Sequence, residues 1–208
     1  MSVVEVDRAT GSLVVGGSKL FPIVLSNGPP LGAKAPNGRD ALAELSAGGA
    51  NFLRVGRPIW TLESIDEQIA AARDVLDAAA EHGFHCWLQL GNVPDIPARA
   101  FAPKEQLLTR IAGDLKDHPA LGAWKGIDEP ANPNRPARVP VAGLVRAYRT
   151  LRETDPDHPV VITQAAVPTS IPSPTRRAST PAAGAAISGW WERSPARWCA
   201  PPAASRSG

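Results

Sequence analysis

The chain has 208 residues, 43% of them hydrophobic and 20% charged, with a net charge of +2 at neutral pH. That composition supplies enough apolar material for a buried core, and the small net charge, with its late arginines Arg176, Arg177, Arg193, Arg197 and Arg206, gives no basis for a nucleic-acid partner. Two cysteines, Cys86 and Cys199, argue against a disulfide framework or a cysteine metal site; no run approaches the roughly 20 apolar residues of a membrane span, and Met-Ser-Val-Val-Glu-Val-Asp is no leader peptide, so the chain as written is expected to be neither exported nor inserted.

From the N-terminus, Val3 to Val6 and Ser12 to Val15 flank Thr10-Gly11 and predict a β-hairpin, with Gly16-Gly17 turning into the next strand. Phe21-Pro-Ile-Val-Leu25 is a short apolar strand, followed by a Gly- and Pro-rich loop to Gly38 and a helix over Asp40 to Ala47 that Gly48-Gly49 stops. Asn51-Phe-Leu-Arg-Val55 is the next strand. Ser64-Ile-Asp-Glu67 has capping-box spacing and opens a helix with Ile65, Ile69, Ala72, Leu76 and Ala79 on one face, closed by Gly83. His85 to Leu90 forms a third strand, and the helix after it carries Leu107, Leu108, Ile111 and Leu115 before Asp117-His118-Pro119 ends it. Leu121 to Ile127 is the fourth strand; Val141, Leu144, Val145, Tyr148 and Leu151 mark a fourth helix, and Val160 to Gln164 a fifth strand.

Strand onsets at 21, 51, 85, 121 and 160 are spaced like the βα units of an eight-fold barrel of about 250 residues. Each crossover holds a helix, so the strands pair in parallel. A doubly wound open sheet uses the same units, but its glycine-rich phosphate turn is absent: the loop after the first strand reads Ser26-Asn-Gly-Pro-Pro-Leu-Gly32. The expected fold is therefore α/β, a TIM-type (β/α)8 barrel, incomplete at about five βα units, with the hairpin as a barrel-bottom cover.

From Ile171 to Gly208 the pattern breaks. Ala, Pro, Ser, Arg and Gly make up 29 of these 38 residues, and Leu, Val, Asp and Lys are missing. Completing a barrel needs about three further units, whereas 44 residues follow Gln164. The expected division is a partial barrel over 1–170 and a low-complexity tail over 171–208, read as a frameshifted or truncated end in preference to a disordered tail on a complete domain.

The chemistry centres on His118-Pro-Ala-Leu-Gly-Ala-Trp-Lys-Gly-Ile-Asp-Glu-Pro130, an apolar strand that ends in two acids and a proline. Barrel enzymes present catalytic acids at such strand ends, which makes Glu129 the leading candidate. A general acid must be protonated before it donates, so an apolar or anionic surrounding, from Trp124 and a second carboxylate, is expected around it. Asp128 and Glu129 could instead cap a helix, but Pro130, Pro133, Pro136 and Pro140 oppose an immediate helix. Arg54 ends the second strand and fits a substrate contact or an ordinary ion pair. Trp60, Trp87 and Trp124 could each stack on the apolar face of a ligand or fill the barrel and its rim, with core packing favoured for Trp87 and a ligand contact for Trp60. Gln89 and Asn92, at the end of the third strand, are candidate hydrogen-bond partners for hydroxyls or for loop backbone.

Three stretches, Gly16-Gly-Ser-Lys-Leu-Phe-Pro-Ile23, Ala47-Gly-Gly-Ala-Asn-Phe-Leu-Arg54 and Ala123-Trp-Lys-Gly-Ile-Asp-Glu-Pro130, together resemble the first half of a glycoside hydrolase barrel. The superfamily is the large retaining one that contains the cellulase-like and β-galactosidase-like enzymes, and the resemblance covers roughly residues 12 to 168. In that superfamily a strand-four Asn-Glu-Pro motif supplies the acid/base and a strand-seven glutamate the nucleophile. The resemblance thus implies that Glu129 is the acid/base, that Asp128 stands where an asparagine usually contacts the sugar 2-hydroxyl, and that Arg54 matches the arginine that keeps the nucleophile ionised. The aspartate departs from the motif and puts that sugar contact in doubt. No strand-seven glutamate is found.

The expected function is that of a glycoside hydrolase whose intact relative cleaves a β-linked sugar with retention, this chain being inactive alone. The alternative is a non-catalytic carbohydrate-binding barrel in which Trp60 and Trp124 grip a glycan and Glu129 only accepts a hydrogen bond; a third reading is a product left unstable by its open sheet edge. The expected partner is a carbohydrate, with no cofactor and no metal. His118 and His158 precede prolines at strand entries, and His82 ends a helix, so none is expected to bind a ligand.

Overall fold

The computed structural model describes residues 3–56, 59–96, 101–132 and 139–163. The expected tail over 171–208, and Gln164 at the end of the fifth predicted strand, lie outside the described residues.

The N-terminal segment is an antiparallel three-stranded sheet of β1 (Val4–Val6), β2 (Leu13–Val15) and β3 (Ser18–Leu20), in that order. Gly16 and Gly17 make the β2–β3 turn with positive φ angles of 54° and 82°, conformations that glycine adopts at little cost. The hairpin expected over Val3–Val15 is present, and β3 extends it.

Among the described residues five parallel strands follow: β4 (Val24–Leu25), β5 (Phe52–Gly56), β6 (His85–Gln89), β7 (Leu121–Lys125) and β8 (Val160–Val161), paired in sequential order, and four α-helices lie between them: α1 (Ala41–Ala47), α2 (Ile65–Glu81), α3 (Phe101–Leu115) and α4 (Val141–Thr154). A doubly wound sheet reverses its strand order at a switch point; this sheet does not. Its two faces also differ. Leu53, Val55, Cys86, Leu88, Leu121 and Trp124 form one continuous core with the helices, whereas Phe52 and the partly buried Trp87 and Val24 pack against Val4 and Leu13 of the hairpin. Helices along one face of a sequentially ordered parallel sheet are consistent with a partial TIM-like barrel, and the hairpin packs on Val24 and Phe52, the first residues of β4 and β5. A backbone bond from the Val4 N–H to the Asp157 carbonyl, 3.2 Å, ties that cover to the β8 side.

Local chemistry explains the elements. The Asp40 carboxylate accepts from the N–H groups of Leu42 (2.9 Å) and Ala43 (3.2 Å) and so caps α1. In α2 the buried face is Ile65, Ile69, Ala72, Leu76 and Ala79, as the 3.6-residue period requires. The expected capping box does not form: Ser64 Oγ lies 3.0 Å from Thr61 Oγ1, and a 3₁₀ turn over Leu62–Ser64 leads into the helix. Cys86 faces the helix side of β6, fully buried, and burial pushes its thiol up to about 12, beyond reach of alkylation in the folded chain.

Glycines set two close approaches. At Gly122 the β6–β7 register shifts, and a Cβ there would lie 2.4 Å from Phe52 Cζ, so the bulge lets the Phe52 ring press on the strand. In the sequence Val141, Leu144, Val145, Tyr148 and Leu151 mark α4, but its buried residues are Gly143, Ala147 and Leu151, while Val141 is 75% exposed. Small residues at Gly143 and Ala147 admit the backbone of the β6–α3 loop, with a Cβ at Gly143 only 2.2 Å from the Ile96 carbonyl oxygen. Counting large apolar residues misses a face built from small ones.

This contrast yields a paired prediction. Gly143→Ala is expected to destabilise the fold by about 1–3 kcal/mol through overpacking, despite alanine's better helix propensity. Gly113→Ala, in α3 with nothing within 4 Å of the added methyl, is expected to stabilise by about 1 kcal/mol. Urea unfolding of the two variants measures the difference, and equal midpoints would contradict the close packing of α4.

Candidate active site

Parallel strands deliver their C-terminal ends to one rim, and four of them meet there. After β4 come Ser26 and Asn27; Arg54 projects from β5; β7 runs on through Gly126 and Ile127 to Asp128 and Glu129; Thr163 follows β8. The Gly126 N–H donates to the Val161 carbonyl and the Glu129 N–H to the Thr163 carbonyl, both 2.9 Å, which carries the β7–β8 pairing out to the two acids.

Arg54 is the hub. Its Nε donates to the Ser26 carbonyl (2.8 Å), one Nη to Asn27 Oδ1 (3.2 Å), and the other Nη lies 3.6 Å from Asp128 Oδ2. It therefore joins three strand ends and pairs with Asp128, the ion-pair role left open by the sequence. Asp128 Oδ1 accepts from the Lys125 ammonium and from the Thr163 hydroxyl. Partial burial opposes ionisation of Asp128, but the hydrogen bonds from Lys125 and Thr163 and the charges of Lys125 and Arg54 outweigh it, so the carboxyl lies below its ordinary range.

Glu129 has the single non-glycine positive φ among the described residues, 47°. A left-handed backbone costs an ordinary residue roughly 1–2 kcal/mol and persists where surrounding bonds enforce it. Here the enforcing bonds are Glu129 N–H to Thr163 and Asn132 N–H to the Glu129 carbonyl (3.0 Å), while Asn132 Nδ2 donates to Glu129 Oε2 at 2.7 Å. Neither acid caps a helix, since α4 begins at Val141 with Pro140 before it.

The other candidates hold the scaffold. Trp60 is 1% exposed, its indole N–H donating to the Gln89 carbonyl (3.0 Å) and its backbone N–H to Asn92 Oδ1 (3.2 Å). Trp124 is fully buried on the helix side of β7, donating to Asp155 Oδ2 at 2.7 Å. The stacking surfaces expected from Trp60 and Trp124 are thus packed rings, because each indole has an apolar seat and a partner for its N–H. Asn92 secures loop backbone, also accepting Lys104 Nζ on its carbonyl at 2.9 Å. His118 bridges Asp77 (2.9 Å) and the Ala120 N–H (3.1 Å) below the sheet.

Sequence reading missed Lys125, Thr163, Asn132 and the Ser26–Asn27 pair. Lys125 did carry a signal: a charge within an apolar strand, with an acid three residues on. Among the described residues no group of three His, Cys, Asp or Glu side chains is placed to hold a metal ion, and no helix is long and apolar enough to cross a membrane.

No protein-family model matches the chain, and no curated protein does. Solved structures do. A β-mannanase from the blue mussel Mytilus edulis superposes with a TM-score of 0.54 at 17% identity, over 78% of this chain and 63% of the mannanase. An endo-1,4-β-mannanase from Eisenia fetida gives 0.52 at 17% identity, over 79% and 62%. The chain spans just over three fifths of the length of these glycoside hydrolases, and at that identity what is shared is the fold.

Proposed function

We propose that the chain forms the acid/base half of a glycoside hydrolase site that acts on a β-linked sugar with retention, with Glu129 as the proton donor and Asp128 and Arg54 lining the sugar. The observation that carries this reading is the strained carboxylate itself: Glu129 stands at the C-terminal end of a barrel-type strand in a backbone conformation that its surroundings enforce. The mannanase likeness supports the fold on which such a site is built, and makes β-1,4-linked mannosides the first substrates to test.

In the proposed step the Glu129 carboxyl gives its proton to the glycosidic oxygen as the anomeric C–O bond breaks. A second carboxylate is required opposite it. Asp128 does not serve, being committed to Lys125 and Thr163 and flanked by Arg54. The described residues accordingly supply the acid and not the nucleophile. The non-catalytic binding reading relies on Trp60 and Trp124 as gripping surfaces and draws less support, since both rings are packed.

An external nucleophile tests this. Azide attacks the anomeric carbon from the face opposite the leaving oxygen, the C–O bond breaks, and the Glu129 proton goes to the departing oxygen, giving a glycosyl azide of inverted configuration. Aryl β-mannosides and β-glucosides incubated with the purified chain are expected to yield that product in azide and none without it. Absence of product across the panel would overturn the reading.

A further inference from the structure

Every residue of β7 is buried, and Lys125, 2% exposed, is the one charged residue among them. A buried ammonium costs several kcal/mol unless an anion and further acceptors receive it. Nζ of Lys125 is received by Asp128 Oδ1 and by the Gly126 carbonyl at 3.2 Å. Arg54 from β5 faces the second Asp128 oxygen, and the Thr163 hydroxyl donates to the first. The adjacent carboxylate, Glu129, instead receives the neutral amide of Asn132. Two consecutive carboxyls therefore sit in opposite settings, one clamped between two cations and one on an amide. Such division is how paired carboxyls acquire separate acid and base roles.

We propose that Lys125 is the positioning residue of this pair, holding Asp128 clamped and ionised beside Glu129, the proton donor of the proposed reaction. The use of that proton rests on the glycosidase reading; the clamp on Asp128 does not. The depressed carboxyl of Asp128 agrees with the geometry, the Lys125 hydrogen bond and charge both acting against the cost of partial burial. Lys125 reaches the carboxyl pair through Asp128, its other acceptor being the Gly126 carbonyl, so its removal is expected to move the Asp128 titration first.

Carbon-detected NMR titration of the carboxyls in the full chain tests this directly. In Lys125→Met the Asp128 midpoint is expected to rise by about one pH unit or more, since an opposite charge at this range typically lowers a carboxyl by 1–3 units. Lys125→Arg, which keeps the charge, is expected to hold the midpoint low. An Asp128 midpoint unchanged in Lys125→Met overturns the proposal. Should that variant fail to fold, thermal melts of Asp128→Asn and of the double variant Lys125→Met/Asp128→Asn decide: the double variant is expected to melt higher, because Asp128→Asn alone leaves the ammonium buried without its anion. A double variant that melts no higher counts against the clamp. A chain that titrates as expected but gives no azide product retains the clamp and loses the glycosidase reading.

Discussion

Asp155→Ala is expected to cost about 2–6 kcal/mol, because it removes the acceptor of two buried side-chain donors that cost roughly 1–3 kcal/mol each when unsatisfied, and this is the largest loss of stability we anticipate for a single substitution. Asp155 is 1% exposed at the end of α4. Its Oδ2 accepts from the Trp124 indole at 2.7 Å and lies 2.8 Å from His158 Nδ1, and its Oδ1 accepts the Asp157 N–H at 2.9 Å. One carboxylate thus fastens β7, the end of α4 and the entry to β8, and the Asp157 carbonyl in the same turn receives the N-terminal sheet. Alanine strands two side-chain donors in a site closed to water, each costing roughly 1–3 kcal/mol when unsatisfied. Asp155→Asn keeps the shape and removes the charge, and a smaller loss is expected. Burial opposes the Asp155 anion, but the His158 hydrogen bond and charge, the Asp157 N–H and the Trp124 indole together hold its carboxyl below the ordinary value. A carboxyl depressed in the folded state contributes stability above its unfolded value of about 3.9, and that contribution fades as pH falls through the folded value. The gap between the natural chain and Asp155→Asn is therefore expected to be widest near neutrality and to narrow below about pH 4. Chemical denaturation at several pH values measures it, and a gap independent of pH would contradict an ionised Asp155.

The layout of this fold was legible where one periodicity dominates. The face of α2 from Ile65 to Ala79 and the apolar run ending at Glu129 are local patterns that the structure keeps, whereas the capping box read at Ser64 gives way to a 3₁₀ turn. The misreadings share a cause: they depend on what lies across from a residue. The inward face of α4 is Gly143 and Ala147 because the Ile96 backbone approaches there, and no hydrophobic count reveals a neighbour's carbonyl. Trp60 lies in a loop and so reads as exposed, yet the Gln89 carbonyl and the Asn92 amide draw it inward. Arg54 and Asp128 stand 74 positions apart and meet only because β5 and β7 reach the same rim. The strain at Glu129 was likewise invisible, because a positive φ at a non-glycine residue results from the pairing to Thr163 and the turn to Asn132.

Glu129→Gln is expected to reduce azide-dependent cleavage of a β-glycoside with a poor leaving group by about 10²- to 10⁴-fold, the usual contribution of a positioned general acid. Glutamine preserves the length of the side chain and keeps an oxygen for the Asn132 amide, which lies 2.7 Å from Glu129 Oε2. What it lacks is a transferable proton. A 2,4-dinitrophenyl glycoside, whose phenolate departs without protonation, is therefore expected to react at nearly the same rate in both proteins. The ratio between the two substrates isolates proton donation from any general damage to the site, since misfolding would depress both. A parallel loss on both substrates would remove Glu129 from the proton-transfer step and assign it to the scaffold around Asn132 and Thr163.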